Sequence, residues 1–203
     1  ILYTTNGGAD WNIQQSGTDS TLRGGFARSA DTAYFVGDGG IVSRTINGGV
    51  AISGRSTAQI FHGVHFPSST IGYLVGGDGV VSKTTNSGAL WAPQASGVSE
   101  VLYGTHFTST TRGFAVGAGG TILRTTDGGT NWDAQTSGTS QTLRRVMFAN
   151  ADTGWVAGDG GTVLRTTNGG TNWILGNTGS SANYSDLHVH NADSVTVVGA
   201  GGV

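Results

Sequence analysis

The sequence predicts an all-β fold, a five-bladed β-propeller of four-stranded blades, on three observations. A unit of about 41 residues recurs along the chain. Each unit holds four short apolar runs, and the turns between the runs are rich in Gly, Asn and Asp, the residues that supply the positive φ of tight hairpins. A unit of this length and make-up has the spacing of a propeller blade, which buries its faces only by stacking on its neighbours.

Alignment on Phe114-Ala115-Val116-Gly117 places whole units at 34–72, 73–113, 114–154 and 155–195, with the second-to-fourth-strand pattern clearest in the last two. In the clearest copy, which straddles the last two units, the strands are expected at 143–149, 154–157, 162–167 and 172–175. The remainder is permuted. Gly199-Ala200-Gly201-Gly202-Val203, continued by Ile1-Leu2-Tyr3-Thr4-Thr5, falls in register with 117–126, so 196–203 and 1–33 together make a fifth unit. The expectation is one domain over 1–203, closed by pairing of the strand near 194–199 with 1–5. The alternative is an arc of a larger ring.

The 203 residues include 37 Gly, 2 Pro and no Cys, so disulfides and thiolate metal sites do not enter. With 11% charged residues and a formal charge of −2, there is no electrostatic footprint for nucleic acid or an anionic membrane. No apolar run approaches the roughly 20 residues that span a bilayer. One Lys, one Glu and a surface of Thr, Ser, Asn and Gly suggest an exported protein of bacterial type: periplasmic, cell-surface or secreted. The start at Ile1, without Met or a signal peptide, suggests a processed chain or a window of a longer one.

The turn after the third strand repeats as Thr-x-(Asp/Asn)-x-Gly-x-x-Trp. The copies are Thr4, Asn6, Gly8 and Trp11; Thr84, Asn86, Gly88 and Trp91; Thr125, Asp127, Gly129 and Trp132; Thr166, Asn168, Gly170 and Trp173. A fifth, Thr45, Asn47 and Gly49, carries Ile52 in place of Trp. The short polar side chain can accept hydrogen bonds from the N–H groups of its own turn, Gly relieves the turn, and Trp covers it. A structural role accounts for every residue of the motif.

The motif resembles the Asp box, or BNR repeat, of sialidases and related propellers. The longer string at 154–173 is similar to the photosystem II assembly and stability factor propellers and their bacterial relatives, whose photosynthetic members are seven-bladed. The resemblance covers all five units. It implies a non-enzymatic scaffold that binds a partner protein or a membrane complex, with no cofactor. A basic surface contributes to partner binding in that family, so the resemblance also suggests Arg44, Lys83, Arg124 and Arg165 as contacts. These share one third-strand position, with Tyr3 as the fifth.

A glycosidase fragment, the reading suggested by the sialidases, lacks its chemistry. Glycoside hydrolysis ordinarily needs two facing carboxylates, whereas the single Glu is Glu100 and Asp38 and Asp159 sit in turns. Variation concentrates instead on the first strand, nearest the channel. One column reads Arg23, His62, Tyr103, Arg144, Ser185; another, three residues on, reads Phe26, His65, His106, Met147, His188. The first column is expected at the channel mouth beside the interblade loops 14–20, 54–58, 94–99, 135–141 and 176–182. It either caps the channel through water-bridged hydrogen bonds or forms a shallow pocket for an acidic peptide or glycan, the lectin-like alternative. The second column is expected to pack against the next blade rather than hold a metal.

Overall fold

The computed structural model describes residues 1–48, 51–54 and 59–202, so Gly49 and most of the 54–58 loop lie outside the described residues. The chain is all-β, with short 3-10 turns as its only helical pieces among the described residues. Four four-stranded antiparallel sheets follow in chain order. The first holds β3 (Leu22–Ala27), β4 (Ala33–Gly37), β5 (Val42–Thr45) and β6 (Ala51–Gly54). The second holds β7 (Phe61–His65), β8 (Gly72–Gly76), β9 (Val81–Thr84) and β10 (Ala92–Gln94). β11 (Leu102–Phe107), β12 (Gly113–Gly117), β13 (Ile122–Thr125) and β14 (Asp133–Gln135) make the third, and β15 (Leu143–Phe148), β16 (Gly154–Gly158), β17 (Val163–Thr166) and β18 (Ile174–Leu175) the fourth. The strands expected at 143–149, 154–157, 162–167 and 172–175 are thus found, the last shortened to two residues.

Two half-sheets flank these blades. The hairpin β1 (Leu2–Tyr3) and β2 (Asn12–Ile13) corresponds to the outer half of a blade. β19 (Tyr184–Asn191) and β20 (Ser194–Gly199) correspond to the inner half. The ladder expected between Ser194–Gly199 and residues 1–5 is not formed among the described residues: β1 pairs with β2, and β20 pairs with β19. Each half is held by packing on its neighbour instead. The first strands β3, β7, β11, β15 and β19 touch in succession, and no comparable contact joins β19 to β3.

The core lies between blades. Tyr34, Val36 and Val42 pack on Phe61, Val64, Phe66 and Leu74 of the next sheet; Phe114, Val116 and Ile122 of the third sheet likewise pack on Leu143, Val146 and Phe148 of the fourth. The same three-ring motif recurs at each of the three interfaces between the four-stranded sheets. Tyr34 stacks on Phe66 at 3.8 Å, Tyr73 on Phe107 at 3.6 Å and Phe114 on Phe148 at 4.4 Å, and the following Trp91, Trp132 or Trp173 meets the second ring edge-on at 5.7–5.9 Å.

The repeated turn closes as its sequence requires. Thr4 Oγ1 donates to Asn6 Oδ1 at 2.9 Å, Gly8 N–H donates to Thr4 Oγ1 at 3.0 Å, and Asp10 N–H donates to Asn6 Oδ1 at 2.9 Å. Thr84–Asn86, Thr125–Asp127 and Thr166–Asn168 repeat the Thr-to-Asx bond at 2.9, 2.9 and 3.0 Å. The motif glycine has a further duty. Gly170 has φ +76, and a Cβ there would lie 2.3 Å from the Phe114 ring of the preceding blade, so Gly both permits the turn and seats that ring.

The lids differ in cover. Trp173 is 8% exposed, whereas Trp11 is 59% exposed, because the hairpin β1–β2 has no inner strands of its own sheet against it. Truncating Trp173 to Ala should therefore cost about 3–5 kcal/mol in urea denaturation. Trp11→Ala should stay within about 0.5 kcal/mol of the parent, as exposed substitutions do. Equal losses at the two positions would mean that the lids do not depend on neighbouring strands.

Candidate functional site

Every first strand carries the same irregularity. The ladder runs Leu22↔Gly37 and then Gly24↔Val36, skipping Arg23. It likewise skips His62, Tyr103, Arg144 and Ser185. These are β-bulges, which leave one residue unpaired and re-aim its side chain. The skipped residue is in each case the first-column residue predicted at the mouth. All five line one cavity of about 550 Å³, to which Arg145 and Asp186 also contribute. Sequence reading found the column but not the bulge that presents it.

Glycine allows the first strands to converge there. A Cβ on Gly24 would sit 2.3 Å from the His62 carbonyl oxygen, and one on Gly104 would sit 2.8 Å from that of Arg144. The fourth blade has Arg145 at this position, and it reaches Asp186 of β19 at 3.1 Å.

The mouth is charged but internally compensated. Arg144 grips Asp159 through two parallel bonds, Nε to Oδ1 at 2.6 Å and Nη2 to Oδ2 at 2.8 Å. Arg23 holds Asp38 in the same forked manner, with Nη2 to Oδ2 at 3.0 Å. This bidentate geometry fits a carboxylate to a guanidinium. Asp38 and Asp159 were expected as turn-formers; they are the partners of the mouth arginines. The Arg23 hydrogen bond holds the Asp38 carboxyl below its ordinary range. Between the two pairs, the Arg144 guanidinium lies 5.4 Å from the centre of the Tyr103 ring, and Tyr103 lies 4.9 Å from His62. Burial lowers the His62 pKa, so this imidazole is neutral at pH 7.

The third-strand cations serve the blade interfaces. Arg44 Nη1 donates to the Ser87 carbonyl at 2.8 Å, and Lys83 Nζ to that of Gly128 at 2.7 Å, each in the repeated turn of the next blade. Arg165 Nη2 donates to the Ala192 carbonyl at 3.1 Å and approaches Asp193 at 3.5 Å. The Arg124 Nε is buried without a hydrogen bond among the described residues. Tyr3 lies against Gly48 in the equivalent place. The structure brings Arg23, His62, Tyr103 and Arg144 together and spreads Arg44, Lys83, Arg124 and Arg165 over successive interfaces. The second-column rings follow one another across the blade interfaces, tilted, Phe26 to His65 at 4.8 Å and His65 to His106 at 4.6 Å, and His106 stacks on Phe148, the residue after the column's Met147, at 6.0 Å. The described residues hold no cluster of three or more His, Cys, Asp or Glu placed to bind a metal ion.

The model of a protein family described as photosynthesis system II assembly factor YCF48 matches residues 89–200. The chain belongs to this family. No curated protein sequence matches it. Among solved structures, it is similar to YCF48 from Cyanidioschyzon merolae, with 18% identity and a TM-score of 0.75 over 98% of this chain and 70% of that one. A structure described as YCF48 bound to D1 peptide matches with 13% identity and a TM-score of 0.57, over 98% of this chain and 96% of that one. A GH74 enzyme from Niastella koreensis matches with 17% identity and a TM-score of 0.69, over 87% of this chain but 33% of its own. These likenesses carry the propeller fold.

One copy of the repeated turn carries a charge. Bonds from the Asn131 N–H and side chain, helped by Thr125, pull the Asp127 carboxyl down to about 2. Its native pKa lies below the ordinary value, so its stabilisation is complete above about pH 4 and is lost as pH falls toward 2. In Asp127→Asn, which copies the other turns, that loss should vanish. Urea midpoints of parent and variant, followed by Trp fluorescence, should converge between pH 4.5 and 2.5. A constant difference would rule the account out.

Proposed function

We propose that this chain is a non-enzymatic scaffold that binds a segment of a partner protein, in an assembly or stability role, at the mouth lined by Arg23, His62, Tyr103 and Arg144. Membership of the family supports the class of function. The site is supported by one observation above the others: five first strands each expel a side chain from the ladder at the same place, and the five meet around one cavity. Side chains needed only for folding would not require an unpaired position. The relative solved with a D1 peptide is, by its description, a peptide binder. For the present chain the partner is proposed as a protein, with a membrane-bound complex and an exported setting as the finer reading. No helix among the described residues is long and apolar enough to cross a membrane.

A hydrolytic role is disfavoured by the chemistry of the mouth. A general acid needs a carboxyl whose pKa is raised, whereas Asp38 is pulled down by Arg23 and Asp159 is gripped by Arg144. The GH74 likeness therefore stands for the fold.

The proposal is tested by placing a photo-crosslinking phenylalanine analogue at Tyr103 in the source cell and, separately, at Ala134 on an outer strand. A defined protein adduct is expected from position 103 and none from 134. Equal adducts at both positions, or none at 103, would remove the mouth as the binding face. Release of reducing sugar from a glycan panel by the purified protein would remove the non-enzymatic reading.

A further inference from the structure

The ring series Phe26–His65–His106–Phe148 crosses three blade interfaces and sets two imidazoles side by side, 4.6 Å apart with their planes tilted by 53°, with no use in the partner site. His65 Nδ1 accepts a hydrogen bond from the Phe107 backbone N–H of the next blade at 3.3 Å, so that nitrogen carries its lone pair. His106 Nδ1 is buried with no hydrogen-bond partner among the described residues. We propose that the His65–His106 pair is an acid-sensitive seam, which loosens the contact between the second and third blades when either ring takes up a proton.

The surroundings make each proton costly. On β3 the neighbour is Phe26; on β11 they are His106 itself and Phe107, whose ring lies 6.4 Å from His65. β8 adds Tyr73, stacked on Phe107 and kept as a neutral phenol, its pKa raised to about 12. β15 adds Phe148 and the cation Arg145, which repels a charge on either ring; its carboxylate partner Asp186 is more than half exposed on β19. A proton on His65 Nδ1 would also set two donors against each other across the interface. Burial, the first cause in each case, holds His65 at about 3 and His106 at about 4.

The sign follows from linkage. Both native pKa values lie below the ordinary 6.5 of histidine, so an opened seam binds protons that the closed one refuses. The closed form is favoured fully above about pH 7 and loses ground as pH falls toward 4. The mouth residues His62 and Tyr103 lie three positions earlier on the same two strands, so loosening reaches them.

The repeat itself supplies the control: Phe26 and Met147 occupy the equivalent positions in the first and fourth blades, so His65→Phe and His106→Met install residues the fold already uses. Hydrogen–deuterium exchange, corrected for intrinsic rates, should show β7 and β11 amides opening at least about tenfold more at pH 5 than at pH 7 in the parent. The β16 and β17 amides should stay unchanged, and the acid effect should disappear in the double variant. Histidine ring NMR of the parent serves as a second measurement, with two imidazoles expected to stay neutral well below pH 6. Ordinary titration of both rings near 6.5 would overturn the proposal. An acid rise that persists in the double variant, or one that is uniform over all blades, would do the same.

Discussion

The structure depends on one contact made at each of the three interfaces between the four-stranded blades: a ring from the second strand of one blade lies on the glycine of the next blade's repeated turn. Tyr34, Tyr73 and Phe114 each occupy this place over Gly88, Gly129 and Gly170. The contact links a local event, a Thr–Asx turn held by three short hydrogen bonds, to the burial of a large apolar surface between sheets. It also fixes register, since Tyr73 Oη donates to the Gly128 carbonyl at 2.9 Å and Lys83 reaches the same oxygen. Stability in such a chain accrues between nearest neighbours. Where the neighbouring strands are missing, apolar side chains stay in water: Leu2, Trp11 and Ile13 on one flank, Val198 on the other.

Much of this was legible because it is local and repeated. The Thr-x-Asx-x-Gly spacing predicts its own hydrogen bonds, and four apolar runs per unit predict four strands. The Trp lids are buried or half-buried where the unit is complete, and Trp11 is exposed because its cover would come from strands that do not reach it. Closure was less legible for a different reason. That 199–203 and 1–5 continue one another in pattern says which half-blades match, but whether they meet depends on the angle between every pair of blades. No sequence register encodes that sum.

Other features were visible only as correlations. Arginine at the mouth is followed 15 positions later by Asp in both copies, Arg23 with Asp38 and Arg144 with Asp159. His62 and Tyr103 are followed by Gly77 and Ala118 instead. The match between the two columns is a signal of pairing that alternation of strand faces does not contain. The targets of Arg44 and Lys83 left no such trace, because they bond to backbone carbonyls, which every residue supplies.

The bulge at the mouth separates two demands that usually conflict in a β-sheet. A residue inside a ladder must suit its cross-strand neighbours, so changing it disturbs the sheet. Arg23, His62, Tyr103, Arg144 and Ser185 have no such neighbours, and four different kinds of side chain occupy one position of an otherwise uniform repeat. The scaffold thereby offers a set of interchangeable letters around a fixed frame, and a new specificity can be spelled without rewriting the fold that displays it.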